Sequence, residues 1–270
     1  MPPWTSDIWQ MPLRSDRSST SVTRPADVRA LGAKLRLARR VLVLTGAGIS
    51  AASGPATFRG AGGGYEDGEL ASFHHADQLP GSLDALWAFW GPVRATVRDA
   101  APSLGHRALA AWQQQRVADG TEVTLVTENV DDLHERAGSE RVHHLHGNLF
   151  RSRCLDETCG FASHDQASHG GAVPVCPRCG TRLRPEMVLS GETVDVDALW
   201  AAKRSVRYCD AFLAIGTSGQ VHPASGLVRY AEDVGALTIC VDPGPAGGSF
   251  QHHVALAADA ALPELLGVPG

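Results

Sequence analysis

The residues predict an α/β protein: a doubly wound parallel sheet with a smaller module inserted into it. Two observations carry the sheet. Short runs that are apolar on both faces recur at strand length, and stretches with one apolar helical face separate them. A third observation, a cysteine-rich stretch that fits neither pattern, marks the insertion.

Residues 1–25 mix Asp7, Arg14, Asp16 and Arg17 with Ser, Thr and Pro and lack an apolar signal core. A disordered tail and a cytoplasmic protein are therefore expected. From Ala26 to Arg40, the side chains of Val28, Leu31, Leu35 and Ala38 share a helical face, with Asp27 as its N-cap. Strands are expected at Val41–Leu44, Val123–Val126, Ala211–Ile215 and Leu237–Val241. The intervening helices span Leu83–Val97, with a break at Gly91-Pro92, then His106–Val117 and Pro223–Val234. Ligands of such sheets collect beyond the carboxyl ends of the strands.

Residues 60–80 and 150–190 lack this alternation. The expected division is a discontinuous sheet domain (26–60, 100–150 and 190–266) and a small module (61–99 and 151–189). Apolar residues make up 43% and charged residues 20% of the 270-residue chain, as in ordinary globular proteins. The net charge is −5 and the basic residues are spread out, which argues against nucleic acid and against a membrane surface.

Cys154 and Cys159 are paired by sequence, as are Cys176 and Cys179, and a glycine follows each pair. Two such pairs supply four thiolates to one tetrahedral Zn²⁺, and a closed four-sulfur site is structural. Cys209 and Cys240 read as core residues.

In Val41–Ser50, VLVLTGAGIS, a strand runs into Gly46, Ala47, Gly48 and Ser50. Glycines there let the backbone approach a phosphate, with N–H groups of the following turn directed at it. The dinucleotide pattern is incomplete, because Ala51 stands in place of the third glycine. Glu128, Asn129 and Asp131 follow a second strand. His146 precedes a glycine, and Gly216, Thr217 and Ser218 follow a third strand. Each has a bland alternative as a turn former, core histidine or helix cap; the common position at strand ends favours a ligand site.

Read in order, GAGIS, TFRGAGG, TENVDDLH, HLHGN, the paired cysteines, RPEMVLSGE and GTSGQVHPA resemble the sirtuin family of NAD-dependent protein lysine deacylases. The resemblance spans about Ala26 to Leu266. It implies a Rossmann-type large domain, a small zinc module and a cleft entered by NAD and by an acyl-lysine protein substrate. Ala47, Gly48 and Ser50 would lie along the pyrophosphate, and Phe58 and Arg59 would cover ribose and phosphates. Asn129 and Asp131 would face the nicotinamide. The acyl oxygen then displaces nicotinamide, and His146, as general base, draws a proton from the ribose hydroxyls; an imidazole titrates in the right range. Val188–Glu192, with Gly191, resembles the strand that pairs with substrate backbone.

This chain departs from the family's pattern in places. Glu128 replaces Gln, Asp242 replaces the Asn after the last strand, and Ser190 replaces the Phe before Gly191-Glu192. TFRGAGG resembles the desuccinylase branch, which carries a Tyr-x-x-Arg pair for acidic acyl groups. Here Trp90 and Val93 stand at those positions, and Arg94 lies roughly 100° further round an ideal helix. Neutral acyl groups are therefore the expected substrates. Transfer of ADP-ribose to protein and non-catalytic NAD binding are the competing readings.

Overall fold

The computed structural model describes residues 20–54, 74–217, 224–247 and 250–269. Seven strands form the large sheet: β1 (Ser21–Val22), β2 (Arg40–Thr45), β3 (Glu122–Thr127), β4 (Val142–His144), β8 (Ala211–Ile215), β9 (Leu237–Val241) and β10 (His252–Val254). Three more, β5 (Gly147–Cys154), β6 (Ala162–His164) and β7 (Leu183–Met187), form a separate antiparallel sheet.

The large sheet is parallel throughout, in the order β1-β10-β9-β8-β2-β3-β4. Strand β2 shows why it is wound on both faces. Val41 and Val43 pack into one apolar layer and Leu42 and Leu44 into the other, all fully buried. Helices α1 (Val28–Leu35), α3 (Leu104–Ala118) and α7 (Ala258–Leu266) cover the first face; α5 (Val196–Val206) and α6 (Ala224–Asp233) cover the second. From β2 the chain winds outward through β3 to β4, and from β8 it winds the other way through β9 to β10. The order therefore reverses between β2 and β8, and a crevice for ligands opens at such a switch point.

The four expected strands are present, within a residue at each end. Two helices differ from expectation. α1 ends at Leu35, short of Arg40, because the carboxylate of Asp210 captures the N–H groups of Arg39 and Arg40 and starts β2 there. Asp27 precedes α1 without capping it; its carboxylate accepts from Arg24 at 2.7 Å instead. The helix expected to break at Gly91-Pro92 runs unbroken as α2 (Leu83–Asp99). Trp87, Trp90, Arg94 and Val97 bury one continuous face across the proline. Gly91 is needed for closeness, since a Cβ there would lie 2.9 Å from backbone atoms of Ser168 and Gly171.

α2 packs on the small sheet through Leu83, Leu86, Trp87 and Trp90 against Leu149, Phe150 and Met187. Among the described residues, no helix is long and apolar enough to cross a membrane.

Candidate functional site

Two turns meet at the switch point. The turn after β2 carries Gly46, Ala47, Gly48 and Ser50, and the turn after β8 carries Gly216 and Thr217. They interlock: Gly46 N–H donates to Ile215 O at 3.0 Å and Gly48 N–H to Gly216 O at 2.9 Å. Gly216 has φ +62°, and a Cβ on it would fall 2.3 Å from Ile49 N. The glycines thus allow the two turns to approach each other closely. Ile49 and Ser50 N–H groups also donate inside the turn, to Gly46 O and Ala47 O, and Gly216 N–H donates to Val241 O. Among the described residues, only the N–H of Ala47 from Gly46 to Ser50 has no backbone partner.

Beneath this turn lies a buried polar cluster whose proton directions can be worked out. The Ser50 hydroxyl donates to Asp131 Oδ2 at 2.9 Å. Asn129 Nδ2 donates to Gly46 O at 3.1 Å and to Ser50 Oγ at 3.2 Å, so only its carboxamide oxygen remains for a ligand. His106 Nδ1 accepts the Ser103 N–H at 3.2 Å, which puts the ring proton on Nε2, 3.4 Å from Ser50 Oγ. Thr45 donates to Thr127 Oγ1 at 2.8 Å, so His134 Nε2 must donate to Thr45 Oγ1, also at 2.8 Å. Both histidines are neutral. Burial pushes His106 down to about 4 and holds His134 well below the usual imidazole range. Burial also raises the Asp131 carboxyl, while the Leu133 N–H and the Ser50 hydroxyl pull it back.

His146 follows β4. Its Nδ1 lies 2.9 Å from the Glu128 carbonyl, which can only accept, so Nδ1 carries the proton. In the neutral ring the lone pair is then on Nε2, the form a general base requires. The Glu128 side chain reaches across the crevice, where its Oε2 accepts from Thr217 Oγ1 at 2.9 Å. Asp242, after β9, has one carboxylate oxygen taken by the Gly244 N–H at 2.8 Å. Phe58, Arg59 and Ser218 lie outside the described residues.

Most backbone N–H groups of Val188–Glu192 are bonded within the protein. Val188 N–H donates to His146 O, Leu189 N–H to Glu192 Oε2, Ser190 N–H to His74 O and Glu192 N–H to Leu189 O. Within Val188–Glu192, the exposed Gly191 is the one residue whose N–H has no partner among the described residues. The Glu192 side chain braces the strand: Arg184 grips both its oxygens, at 2.6 and 3.0 Å. Arg94 is committed to the interior. Its guanidinium is fully buried, paired with Asp165 at 3.0 Å and donating to the carbonyls of Leu149, Asp165 and Ala167. Trp90 is buried and Val93 packs against the same cluster.

The four cysteines converge as their spacing implied. Their sulfurs all lie within 4.8 Å of one another, Cys154 to Cys179 at 3.5 Å and Cys159 to Cys176 at 3.8 Å. Tetrahedral Zn²⁺ with bonds of about 2.3 Å needs sulfurs about 3.8 Å apart, so the set fits.

Sequence reasoning missed Thr45, Ser103, His106, Thr127 and His134. Only the Ser103-x-x-His106 spacing, which forms a capping box at the start of α3, was there to be found.

A doubly wound sheet with a histidine at its switch point, beside a four-cysteine module, defines a small class of proteins. The sequence matches the Sir2 family over residues 46–223, and the chain belongs to that family. It is 42% identical, over 82% of its length and 86% of the relative's, to an NAD-dependent protein deacylase of Ralstonia nicotianae. It is 31% identical, over 94% and 91%, to the mitochondrial NAD-dependent protein deacylase sirtuin-5 of Danio rerio. Among solved structures, it resembles a Sir2 homologue–NAD complex at 31% identity and a TM-score of 0.77, covering 92% of this chain and 94% of the other.

Proposed function

We propose that this protein removes acyl groups from lysine side chains of proteins in an NAD-dependent reaction, passing the acyl group to ADP-ribose and releasing nicotinamide. The observation that carries this reading is the His146 Nδ1–H bond to the Glu128 carbonyl. It fixes the base tautomer at the rim of the switch-point crevice.

NAD, as co-substrate, supplies an activated ribose carbon with nicotinamide as leaving group. The chain's own groups do the rest. Ala47 N–H, with Gly48, Gly216 and Thr217, meets the pyrophosphate. Glu128 accepts from ribose hydroxyls, Asp242 from the adenosine ribose, and Asn129 and Asp131 present acceptors to the nicotinamide amide. His146 Nε2 takes the ribose hydroxyl proton. Gly191, flanked by Val188 and Glu192, pairs with substrate backbone.

The zinc site formed by Cys154, Cys159, Cys176 and Cys179 keeps the small module (61–99 and 151–189) folded beside the sheet domain (26–60, 100–150 and 190–266). Cysteines held as metal ligands rather than as disulfides suit a cytoplasmic protein. Buried Trp90 and half-buried Val93, with Arg94 consumed by Asp165, support neutral acyl groups over acidic ones.

The test is mass spectrometry of NAD incubated with acetyl-, butyryl- and succinyl-lysine peptides. O-acyl-ADP-ribose from the neutral peptides is expected. Strong succinyl turnover would overturn the acyl preference, and ADP-ribose left on protein would favour transferase activity instead.

A further inference from the structure

His144 has no role in the reading above, yet it touches the site from below. Its side chain is 12% exposed at the end of β4. Nδ1 lies 3.0 Å from the Asn129 carbonyl, and Nε2 lies 2.7 Å from Glu135 Oε1. A carbonyl and a carboxylate are both acceptors, so both ring nitrogens must donate, and only the imidazolium can do that. A neutral ring would keep one bond and turn a lone pair on the other acceptor.

The surroundings agree. Burial opposes the charge, but the Glu135 hydrogen bond and charge, the Asn129 carbonyl and the Asp131 charge outweigh it and raise the His144 pKa. The groups facing it are Glu135 and His134 from α4 (Leu133–Arg136), Asp131 from the preceding turn and His143 from its own strand. Burial keeps both of those histidines toward the neutral form, so the neighbours that hold charge are the acids.

We propose that the His144 imidazolium is a positioning residue, clamping the Asn129–Asp131 turn between β4 and α4 in the shape that receives the nicotinamide end of NAD. The clamp rests on the reading of that turn as the nicotinamide pocket. Deprotonation breaks one of its two bonds and removes the positive charge beside Asp131. NAD affinity is therefore highest below the His144 pKa and falls as pH rises through it.

Two substitutions separate the bonds. His144→Asn places an amide nitrogen where Nδ1 stands and keeps the Asn129 contact; His144→Gln reaches like Nε2 and keeps only Glu135. NAD binding by calorimetry, between about pH 6 and pH 9, is compared for the full-length wild type and both variants. The wild type should weaken about fivefold to tenfold across that range, the worth of one hydrogen bond. His144→Gln should be weakened by a similar factor at every pH, and His144→Asn should recover most of the loss and be flat with pH. Wild-type behaviour in His144→Gln, or equal loss in both variants with pH dependence unchanged, would overturn the clamp. If the wild type bound NAD at no pH, the nicotinamide-pocket reading would fall and the clamp with it, a result distinct from either.

Discussion

The buried polar side chains at the rim of the large sheet are mostly neutral, whereas those supporting the small sheet are charged. Thr45, Ser50, Thr127, Asn129, His106 and His134 form a network in which each hydrogen has a direction. In the small sheet, Arg94 pairs with Asp165, Arg184 with Glu192, and four thiols gather within reach of one cation. The difference follows from core size. The large sheet has two apolar layers to hold it, so its polar groups are free to be aimed at a ligand. Among the described residues, the cysteine end of the small sheet buries only Cys154, Cys176 and Leu183, so there the metal must do the holding.

The contrast is broken most severely by removing the metal. A structural zinc contributes roughly 10 kcal/mol or more to folding. Chelation, or Cys176→Ser, should expose residues 150–190 to protease while circular dichroism retains the large sheet's signal. Loss of both sheets together would contradict the division of labour.

Arg94→Met comes next. It strands Asp165 and three carbonyls without their donor, a change worth about 3–5 kcal/mol in urea unfolding.

The neutral network answers to acid instead. His106 is held at about 4 when folded, below its unfolded value near 6.5, so the unfolded chain binds the extra proton between those limits. Its stabilising contribution is full above about pH 6.5, and about 3 kcal/mol of it is lost as pH falls toward 4. The acid sensitivity of the wild type should exceed that of His106→Gln by that amount, read from urea midpoints. The smallest effect belongs to Ser50→Ala. It leaves Asp131 without one donor and Asn129 without one acceptor, costing about 1–3 kcal/mol, with weaker ADP-ribose binding as the functional readout.

Much of this was legible in the sequence because the carriers were local. Strands β2, β3, β8 and β9 are short apolar runs, and the cysteine pairs state their chemistry by spacing. His146 and Asn129 stood out through motif and position at strand ends. The remainder depends on partners distant in the chain. That Gly48 serves Gly216, or that Arg94 is consumed by Asp165, is set by tertiary packing and leaves no local pattern. The same holds for α2, where burial on both sides of Pro92 overrode a helix breaker. Strands as short as β4 and β10 carry too little periodicity to be read at all.

The central claim is that His146 acts after NAD is opened, as base for acyl transfer. The direct measurement follows labelled nicotinamide and O-acyl-ADP-ribose together, with an acetyl-lysine peptide, in the wild type and in His146→Ala. The account predicts equal amounts of both products from the wild type. In the variant, exchange of labelled nicotinamide into NAD should continue while O-acyl-ADP-ribose falls by about 10²–10⁴-fold, the usual worth of a general base. Undiminished acyl transfer in His146→Ala, or intact NAD in the wild type, would contradict it.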